Sequence, residues 1–245
     1  MEIFADTSDV KEIAKWLRRG VLDGVTTNPS IMLKDGVRNM EKAAREIAEI
    51  VQGRPVSVEV TTNEPDEMLE QARKIARWAP NIVVKIPVIN QDGASCLEVI
   101  HALATEGIKV NTTAMLSFNQ VMLAAKAGAT YLSIFAGRVA DEGHDPAELI
   151  ASAARWAERW RYGKILVGSM RGNLDVQRAA AAGAHIITVS QPSSRKSWTT
   201  STRGRRCAAS TRTHARRWPR WIADLTRMVH PSERARMDTP LQTTS

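Results

Sequence analysis

The sequence predicts an α/β fold, a (β/α)8 barrel, from two observations. Short apolar runs recur along the chain, and an amphipathic helical stretch follows each of the first seven. The runs are mostly Val, Ile, Leu or aromatic residues, which is typical of strands buried on both faces. Strict alternation of strand and helix indicates a parallel sheet with right-handed crossovers. Eight such units fit a compact barrel, and a doubly wound open sheet is the alternative that periodicity leaves open.

Each strand candidate is a run of four to six residues. In chain order the candidates are Glu2–Asp6, Gly24–Thr27, Val56–Val60, Asn81–Ile86, Ile108–Asn111, Tyr131–Phe135, Lys164–Gly168 and His185–Val189. Apolar residues at helical spacing predict helices between them, over Val10–Leu17, Met40–Val51, Met68–Ala76, Pro146–Trp160 and Leu174–Ala182. Ser8 or Asp9 is expected to cap the first of these helices, and Asn63 or Pro65 to open the third.

The positive charge of the chain is confined to its C-terminal end. The whole chain of 245 residues carries a formal net charge of +8. Residues 1–189 hold 22 Lys and Arg against 23 Asp and Glu, whereas residues 190–245 hold 12 against 3. The near-neutral body is typical of an ordinary enzyme or binding domain. We therefore expect a barrel domain at 1–189 and an atypical basic tail at 190–245.

The tail lacks the pattern that a barrel requires after its eighth strand. Residues 190–217 contain no amphipathic helix, and apolar periodicity returns only in Trp221–Val229. Such a composition is typical of a disordered basic segment. A reading-frame error is a second hypothesis, because codons permitted for residues 190–203 can be chosen so that another frame reads PAILEKVMDHQYA. That string is amphipathic and opens with proline, as expected of a final barrel helix. The DNA sequence of the gene tests the hypothesis.

Several classes of protein are excluded by composition and spacing. No apolar run reaches the roughly 18 residues of a membrane helix, and acidic residues within the first twenty are foreign to a secretory or organellar leader. Cys96 and Cys207 have no paired spacing, so we expect neither a disulfide framework nor a cysteine zinc site, and a cytoplasmic location. The five histidines show no metal-ligand spacing, and no metal is expected.

Polar side chains gather at the predicted carboxyl ends of the strands, where barrel enzymes carry their active sites. They are Asp6, Thr26, Thr27, Asn28, Glu59, Lys85, Asn111, Thr112, Thr113, Ser133, Arg138, Ser169 and Arg171. Arg138, Ser169 and Arg171 are donors suited to a phosphate, or else solvated surface residues.

Lys85 is the most informative of these residues, because it stands inside the apolar run Ile82–Val88. Burial favours the neutral form of an amine, and a neutral amine forms a Schiff base with a ketone. The alternative is a structural lysine paired with a buried carboxylate such as Asp6 or Glu59. Those two carboxylates either divide general acid and base work between them or neutralise Lys85.

Several segments together resemble one family. They are Phe4–Asp9 (FADTSD), Gly24–Ser30 (GVTTNPS), Val83–Pro87 (VVKIP), Ala125–Asp145 (AKAGATYLSIFAGRVADEGHD), Ile165–Arg171 (ILVGSMR) and Ala180–Val189. All are similar to transaldolase, and more closely to the short transaldolases that include fructose-6-phosphate aldolase. The resemblance covers residues 1–189 and ends at Val189, where the family continues with a helix that opens with proline.

The resemblance implies a role for each candidate side chain. Lys85 matches the Schiff-base lysine, and Asp6 matches the carboxylate that exchanges a proton with the sugar C4 hydroxyl. Glu59 and Thr113 match the pair that holds a catalytic water. Asn28 matches the amide that contacts the dihydroxyacetone unit, and Ser133 matches a serine that lines its pocket. The phosphate contacts are matched by Arg138, Ser169 and Arg171. Glu59 favours transaldolase, because the aldolase branch carries Gln at this position.

Transaldolase is therefore the predicted activity, with no metal or organic cofactor. The resemblance implies four sugar-phosphate partners: fructose 6-phosphate, erythrose 4-phosphate, sedoheptulose 7-phosphate and glyceraldehyde 3-phosphate. It also implies a place in the pentose phosphate pathway and a homo-oligomer, either a pentamer or a decamer. Fructose-6-phosphate aldolase activity is the alternative within the family. An inactive or nucleic-acid-binding protein is the alternative from another class, because the tail offers 12 Lys and Arg together with Trp198, Trp218 and Trp221 for stacking on bases.

Overall fold

The eight predicted strands form one closed parallel barrel in chain order. A computed structural model describes residues 1–190. The strands are β1 (Glu2–Asp6), β2 (Gly24–Thr26), β3 (Val56–Glu59), β4 (Ile82–Pro87), β5 (Val110–Met115), β6 (Tyr131–Phe135), β7 (Lys164–Gly168) and β8 (Ile186–Ser190). β1 also pairs with β8, from Glu2 opposite Ile186 to Asp6 opposite Ser190. This closure confirms the barrel and excludes the open sheet.

Nine helices accompany the strands within residues 1–190. They are α1 (Val10–Arg18), α2 (Pro29–Lys34), α3 (Met40–Ile50), α4 (Pro65–Ala76), α5 (Leu97–Thr105), α6 (Phe118–Lys126), α7 (Ala136–Asp141), α8 (Pro146–Trp160) and α9 (Asn173–Ala181). The sequence analysis gave no range for α5 and α6, which agree only with its general expectation of a helix after each of the first seven strands. It missed α2 and α7, because a helix of six residues is under two turns and shows no periodicity. Asp9 caps α1, and Pro65 opens α4 directly after Glu64, so Asn63 is not the cap.

The largest error in a strand concerns β5. The predicted strand Ile108–Asn111 is wrong at both ends, because the observed strand begins at Val110 and continues through Thr112 and Thr113 to Met115. Both threonines are buried, and the alternation of side chains along a strand directs them to opposite faces of the barrel wall. Polar residues in a strand buried on both faces interrupt the apolar run on which the prediction depended. The register shifts between Thr112 and Met115, and Ala114 adopts a positive φ of 61°.

One end of the barrel interior is filled by an apolar group that we call the basal cluster. Its members are Phe4, Val83, Tyr131, Leu166 and Ile186, all buried. Phe4 packs edge-to-face on Tyr131, with 6.0 Å between ring centroids. Gly24 leaves the room that Phe4 needs, since a Cβ atom there would lie 2.6 Å from the Phe4 ring. The core between strands and helices is separate and larger.

The other predictions fall where the structure gives partial or no information. Five predictions concern residues that, except for Ser190, lie outside the described part of the chain. They are the missing eighth helix, the segment Trp221–Val229, the tail 190–245 as a separate region, the reading-frame hypothesis and nucleic-acid binding by the tail. Among the described residues, no helix has the length and apolarity to cross a membrane.

Candidate active site

A cavity of about 740 Å³ opens at the carboxyl ends of the strands. Of the residues to which the family resemblance gives a role, all but Arg171 line it: Asp6, Asn28, Glu59, Lys85, Thr113, Ser133, Arg138 and Ser169. Of the other polar strand-end residues, Thr26 and Asn111 line the cavity, whereas Thr27 and Thr112 do not. Its floor follows directly from strand geometry. Side chains alternate along a strand, so the residue two positions after each basal-cluster residue again faces the interior, one layer higher.

Lys85 lies at the bottom of this cavity and points into the barrel. Its residue is 5% exposed, and its Nζ atom is 2.9 Å from Oε2 of Glu59. The ammonium also donates to the carbonyl oxygen of Thr27 at 3.5 Å and lies 5.9 Å from the centre of the Phe135 ring. Lys85 and Glu59 are register partners on adjacent strands, and this pairing fixes their side chains together.

The Lys85–Glu59 ion pair is compatible both with a purely structural role and with proton transfer during catalysis. A buried ammonium needs a counter-charge, which Glu59 supplies. The same carboxylate is within reach to take a proton from Nζ, and its side chain keeps 22% exposure toward the cavity. The pairing expected of a structural lysine is therefore present, and it also places a base beside the amine.

Asp6 ends β1 on the opposite wall. Its Oδ1 atom accepts from the Thr26 hydroxyl at 2.8 Å, and its Oδ2 atom accepts from the Ser190 hydroxyl at 3.4 Å. Burial raises the pKa of the Asp6 carboxyl above its ordinary value of 3.8, against the opposing effects of the Lys85 charge and the two hydrogen bonds. A carboxyl group with a raised pKa is better suited to exchange a proton with a hydroxyl near neutral pH.

Three polar side chains form a hydrogen-bonded row across the floor beside Lys85. Asn111 donates from Nδ2 to the Ser57 hydroxyl at 3.0 Å, and Ser133 donates to Asn111 Oδ1 at 2.6 Å. All three residues are buried. Sequence reasoning found Ser133 and noted Asn111 at a strand end, but it missed Ser57, which lies inside an apolar run.

Asn28 and Thr113 enter the cavity through local backbone features. Asn28 caps α2, where its Oδ1 atom accepts from the amide of Ile31 at 2.9 Å, so its Nδ2 group remains to donate to a ligand. Thr113 lies beside Ala114 at the irregularity of β5, and its buried Oγ1 atom has no hydrogen-bond partner among the described residues. A buried hydroxyl facing a polar cavity is suited to hold a water molecule.

The three phosphate candidates are divided between two places. Arg138 lies over the Phe135 ring at 5.7 Å and lines the main cavity with Ser169. Ser169 has a φ of 57°, and its carbonyl accepts from the amide of Gly137 at 3.1 Å. Arg171 instead forms an ion pair with Asp141 and lines a second cavity of about 220 Å³ beside α7, α8 and α9.

Sequence reasoning missed the rim of the cavity. Its neutral polar side chains come from the loops after β3 and β4: Thr61, Thr62, Asn63, Asn90 and Gln91. The two loops are tied together, because the Asn63 side chain accepts from the amide of Gln91 at 2.9 Å. These residues lie two to four positions beyond the strand ends, where no pattern marks them as part of a site. Among residues 1–190, no group of His, Cys, Asp and Glu is arranged to hold a metal ion.

Comparisons with known proteins show which family the chain resembles. A family model described as Transaldolase/Fructose-6-phosphate aldolase matches residues 3–234, which runs past Val189, the end of the predicted resemblance. A "Probable transaldolase" of Dehalococcoides mccartyi is 42% identical over 190 residues, which is 77% of this chain and 86% of that protein. "Probable transaldolase 2" of Listeria monocytogenes is 44% identical over 190 residues, covering 77% and 84%.

A solved structure extends the likeness of fold beyond these relatives. Thiamine phosphate pyrophosphorylase from Pyrococcus furiosus superposes with a TM-score of 0.54 at 12% identity, covering 77% of this chain and 85% of that one. At this identity the likeness concerns the barrel alone. The family match and the two relatives go further: the chain belongs to the transaldolase/fructose-6-phosphate aldolase family.

Proposed function

We propose that this protein is a transaldolase that transfers a dihydroxyacetone unit between sugar phosphates through a Schiff base on Lys85. The observation that carries the proposal is a buried amine with a carboxylate 2.9 Å away, at the bottom of a polar cavity. The proposal rests equally on membership of the family.

Schiff-base formation begins with a proton transfer. Glu59 takes a proton from Lys85 Nζ, and the neutral amine attacks the C2 carbonyl of a ketose phosphate. The carbinolamine then loses its hydroxyl as water, for which Glu59 returns the proton, and a protonated imine remains. The Thr113 hydroxyl, which has no partner among the described residues, is positioned on the cavity wall to hold the water that carries these protons.

Cleavage follows at the C3–C4 bond. The protonated imine accepts the electron pair of that bond as Asp6 takes the proton of the C4 hydroxyl, and the aldose phosphate leaves. The C4 oxygen becomes the aldehyde oxygen, and the three-carbon enamine stays bound to Lys85. Addition of a second aldose reverses these steps, with Asp6 returning the proton to the new C4 hydroxyl. Burial, which raises the pKa of Asp6, favours both directions of this exchange.

The bound three-carbon unit requires donors and acceptors for its hydroxyls. The Nδ2 group of Asn28 and the side chains of Asn111 and Ser133, which line the cavity, supply them around Lys85. Ser57 supports Asn111 from beneath by accepting from its Nδ2 group. Arg138 and Ser169 are placed to bind the phosphate at the opposite wall. Arg171 joins them only if it leaves Asp141, which costs little because both side chains of this pair are about half exposed.

Fructose-6-phosphate aldolase activity is the second candidate, because the matching family includes both reactions. Glu59 favours the transferase, because the aldolase branch that this chain resembles carries Gln at this position. The aldolase must release the three-carbon unit to water, whereas the transferase retains it for an acceptor. We further propose a cytoplasmic location, a homo-oligomer, and a place in the pentose phosphate pathway.

The experiment measures glyceraldehyde 3-phosphate released from fructose 6-phosphate, with and without erythrose 4-phosphate. A transaldolase gives steady release, accompanied by sedoheptulose 7-phosphate, only when the acceptor is present. Steady release without the acceptor identifies the aldolase. Release that is equal in wild type and in Lys85→Met contradicts both candidates. Light scattering of the same preparation measures the oligomeric state.

A further inference from the structure

The last strand carries a hydroxyl that reaches Asp6 only through another side chain. Thr188 Oγ1 is 2.5 Å from Thr26 Oγ1, and Thr26 in turn donates to Asp6 Oδ1 at 2.8 Å. Both threonines are almost fully buried, with Thr26 at 2% and Thr188 at 6% exposure. The three residues come from the neighbouring strands β8, β2 and β1, so the row spans the seam at which the barrel closes.

The direction of these hydrogen bonds follows from the number of hydrogens. An ionised Asp6 carboxylate has no hydrogen to give, so the single hydroxyl hydrogen of Thr26 lies toward Oδ1. Thr26 can then only accept from Thr188. Each bond of such a chain polarises and strengthens the next one, and the Thr188 hydroxyl therefore stabilises the carboxylate without touching it.

The orientation of Thr188 is fixed on its other side as well. Its Cγ2 methyl packs against Gly168 of β7, where a Cβ atom would lie 3.1 Å from it. Since the methyl occupies this contact, the hydroxyl is held toward Thr26. The glycine and the β-branched threonine thus act together in aiming one hydroxyl group.

We propose that Thr188 is a positioning residue for Asp6, which it orients and keeps ionised through the hydroxyl of Thr26. The proposal rests on the proposed function, in which Asp6 exchanges a proton with the C4 hydroxyl. When Asp6 takes that proton on Oδ1, all hydrogens of the row can turn around, so that Asp6 donates to Thr26 and Thr26 to Thr188. In this turned row Thr188 only accepts, and its own hydrogen has no hydrogen-bond partner among the described residues, whereas beside the carboxylate every hydroxyl hydrogen of the row is paired. The row therefore favours the ionised carboxyl and still offers Thr26 as an acceptor when Asp6 is protonated.

The other groups that act on Asp6 do not replace this row. Lys85 from β4 favours the carboxylate, Glu59 from β3 opposes it, and Ser190 from β8 donates to the other oxygen at the longer distance of 3.4 Å. None of these contacts involves Oδ1. Removal of the Thr188 hydroxyl should therefore affect Asp6 even though all of them stay in place.

The test uses matched variants of the full chain. Thr188→Val keeps the β-branched shape and removes the hydroxyl, whereas Thr188→Ser keeps the hydroxyl and removes the methyl. For Val, we expect the acidic limb of the kcat profile to move to higher pH, with about a fivefold loss of kcat on that limb, the value of one neutral hydrogen bond, and an unchanged KM. Trapping of dihydroxyacetone on Lys85 by borohydride should stay at the wild-type level. For Ser, which keeps the hydroxyl but loses the methyl that aims it, the profile should lie between those of wild type and Val, and closer to wild type.

Four results separate the possible failures. Equal pH profiles for wild type and Val overturn the proposal, because the Thr188 hydroxyl then has no effect on Asp6. An equal loss in Val and Ser also overturns it, because packing alone would then explain the effect. An inactive wild type that traps no adduct overturns the proposed function instead. A ¹³C NMR titration of the Asp6 carboxyl in wild type and in Val needs no substrate, and an unchanged titration midpoint would overturn the coupling directly. Should Val fail to fold, Thr188→Ala against Thr188→Ser makes the same comparison.

Discussion

The two ends of the barrel interior are built from the same strands, yet one is apolar and the other carries the polar groups of the site. Moving two residues along a strand changes Phe4 into Asp6 on β1 and Val83 into Lys85 on β4. On β6 and β8 the same step leads from Tyr131 to Ser133 and from Ile186 to Thr188. On these four strands the interior therefore changes from apolar to polar over a rise of about 7 Å. On β7 the same step leads from Leu166 to Gly168, and both residues line the cavity.

The contrast between the apolar and the polar layer shows how a small barrel accommodates buried charge. Lys85 and Asp6 are unfavourable in a core unless they are paired, and their pairing depends on strand register. The basal cluster fixes that register from below, because a slip of one residue would move its side chains to the helix face. Stability and chemistry are thus assigned to successive layers of the same strands, and paired variants on one strand can separate them.

The largest effect is expected on β4. Lys85→Met should reduce turnover to the background rate, because no other amine replaces the nucleophile, while far-ultraviolet circular dichroism keeps the signal of the barrel. Val83→Ala, its matched control, should cost about 2 kcal/mol of unfolding free energy and retain the rate at 25 °C. Comparable activity in the two variants would contradict the division into layers.

On β1 the expected losses are a step smaller. Asp6→Asn removes the base for the C4 hydroxyl, so the cleavage rate should fall by about 10²- to 10⁴-fold while borohydride still traps an adduct with dihydroxyacetone. Phe4→Ala empties a fully buried ring site and should cost about 3–5 kcal/mol in urea unfolding. Loss of adduct formation in Asp6→Asn would contradict the assignment of Asp6 to the cleavage step.

On β6 the pair differs more subtly. Ser133→Ala removes the donor to Asn111 and should lower kcat about tenfold by loosening the row beside Lys85. Tyr131→Phe keeps the ring in the basal cluster and should leave kcat unchanged. Steady-state kinetics with fructose 6-phosphate measures both, and a larger loss for the tyrosine variant would show that the lower layer takes part in catalysis.

The smallest effect concerns the pH dependence of stability. Burial raises the pKa of Asp6 in the folded state, so the folded protein binds its proton more tightly than the unfolded chain. The favourable contribution is complete below the unfolded value of 3.8 and is lost as pH rises through the folded pKa. Asp6→Asn should therefore gain unfolding free energy over wild type at neutral pH, and the gain should shrink toward acidic pH. If the gain in unfolding free energy grew as pH fell, it would contradict a raised pKa of Asp6 in the folded state.

Much of this arrangement could be predicted from the sequence, because the strands are buried on both faces and read as apolar runs. Lys85 was predictable from the contrast with its neighbours, and the resemblance to transaldolase supplied the roles of Asp6 and Glu59. The polar half of β5 was not predictable, because Thr112 and Thr113 are buried by tertiary packing that no local pattern shows.

Contacts between residues far apart in the chain were not predictable either. Thr188 and Thr26, which form one hydrogen bond of the row to Asp6, are 162 positions apart, and only closure of the barrel brings them together. The pairing of Arg171 with Asp141 likewise depends on how the loop after β7 meets α7. Sequence spacing carries no information about either contact.

The most direct measurement is the intact mass of the protein after incubation with fructose 6-phosphate and reduction with borohydride. A Schiff-base transaldolase should gain the mass of a reduced three-carbon unit, and peptide mapping should place that gain on Lys85, with none in Lys85→Met. An adduct on another lysine, or no adduct in a chain whose circular dichroism shows an intact barrel, would contradict the assignment of Lys85 as the nucleophile.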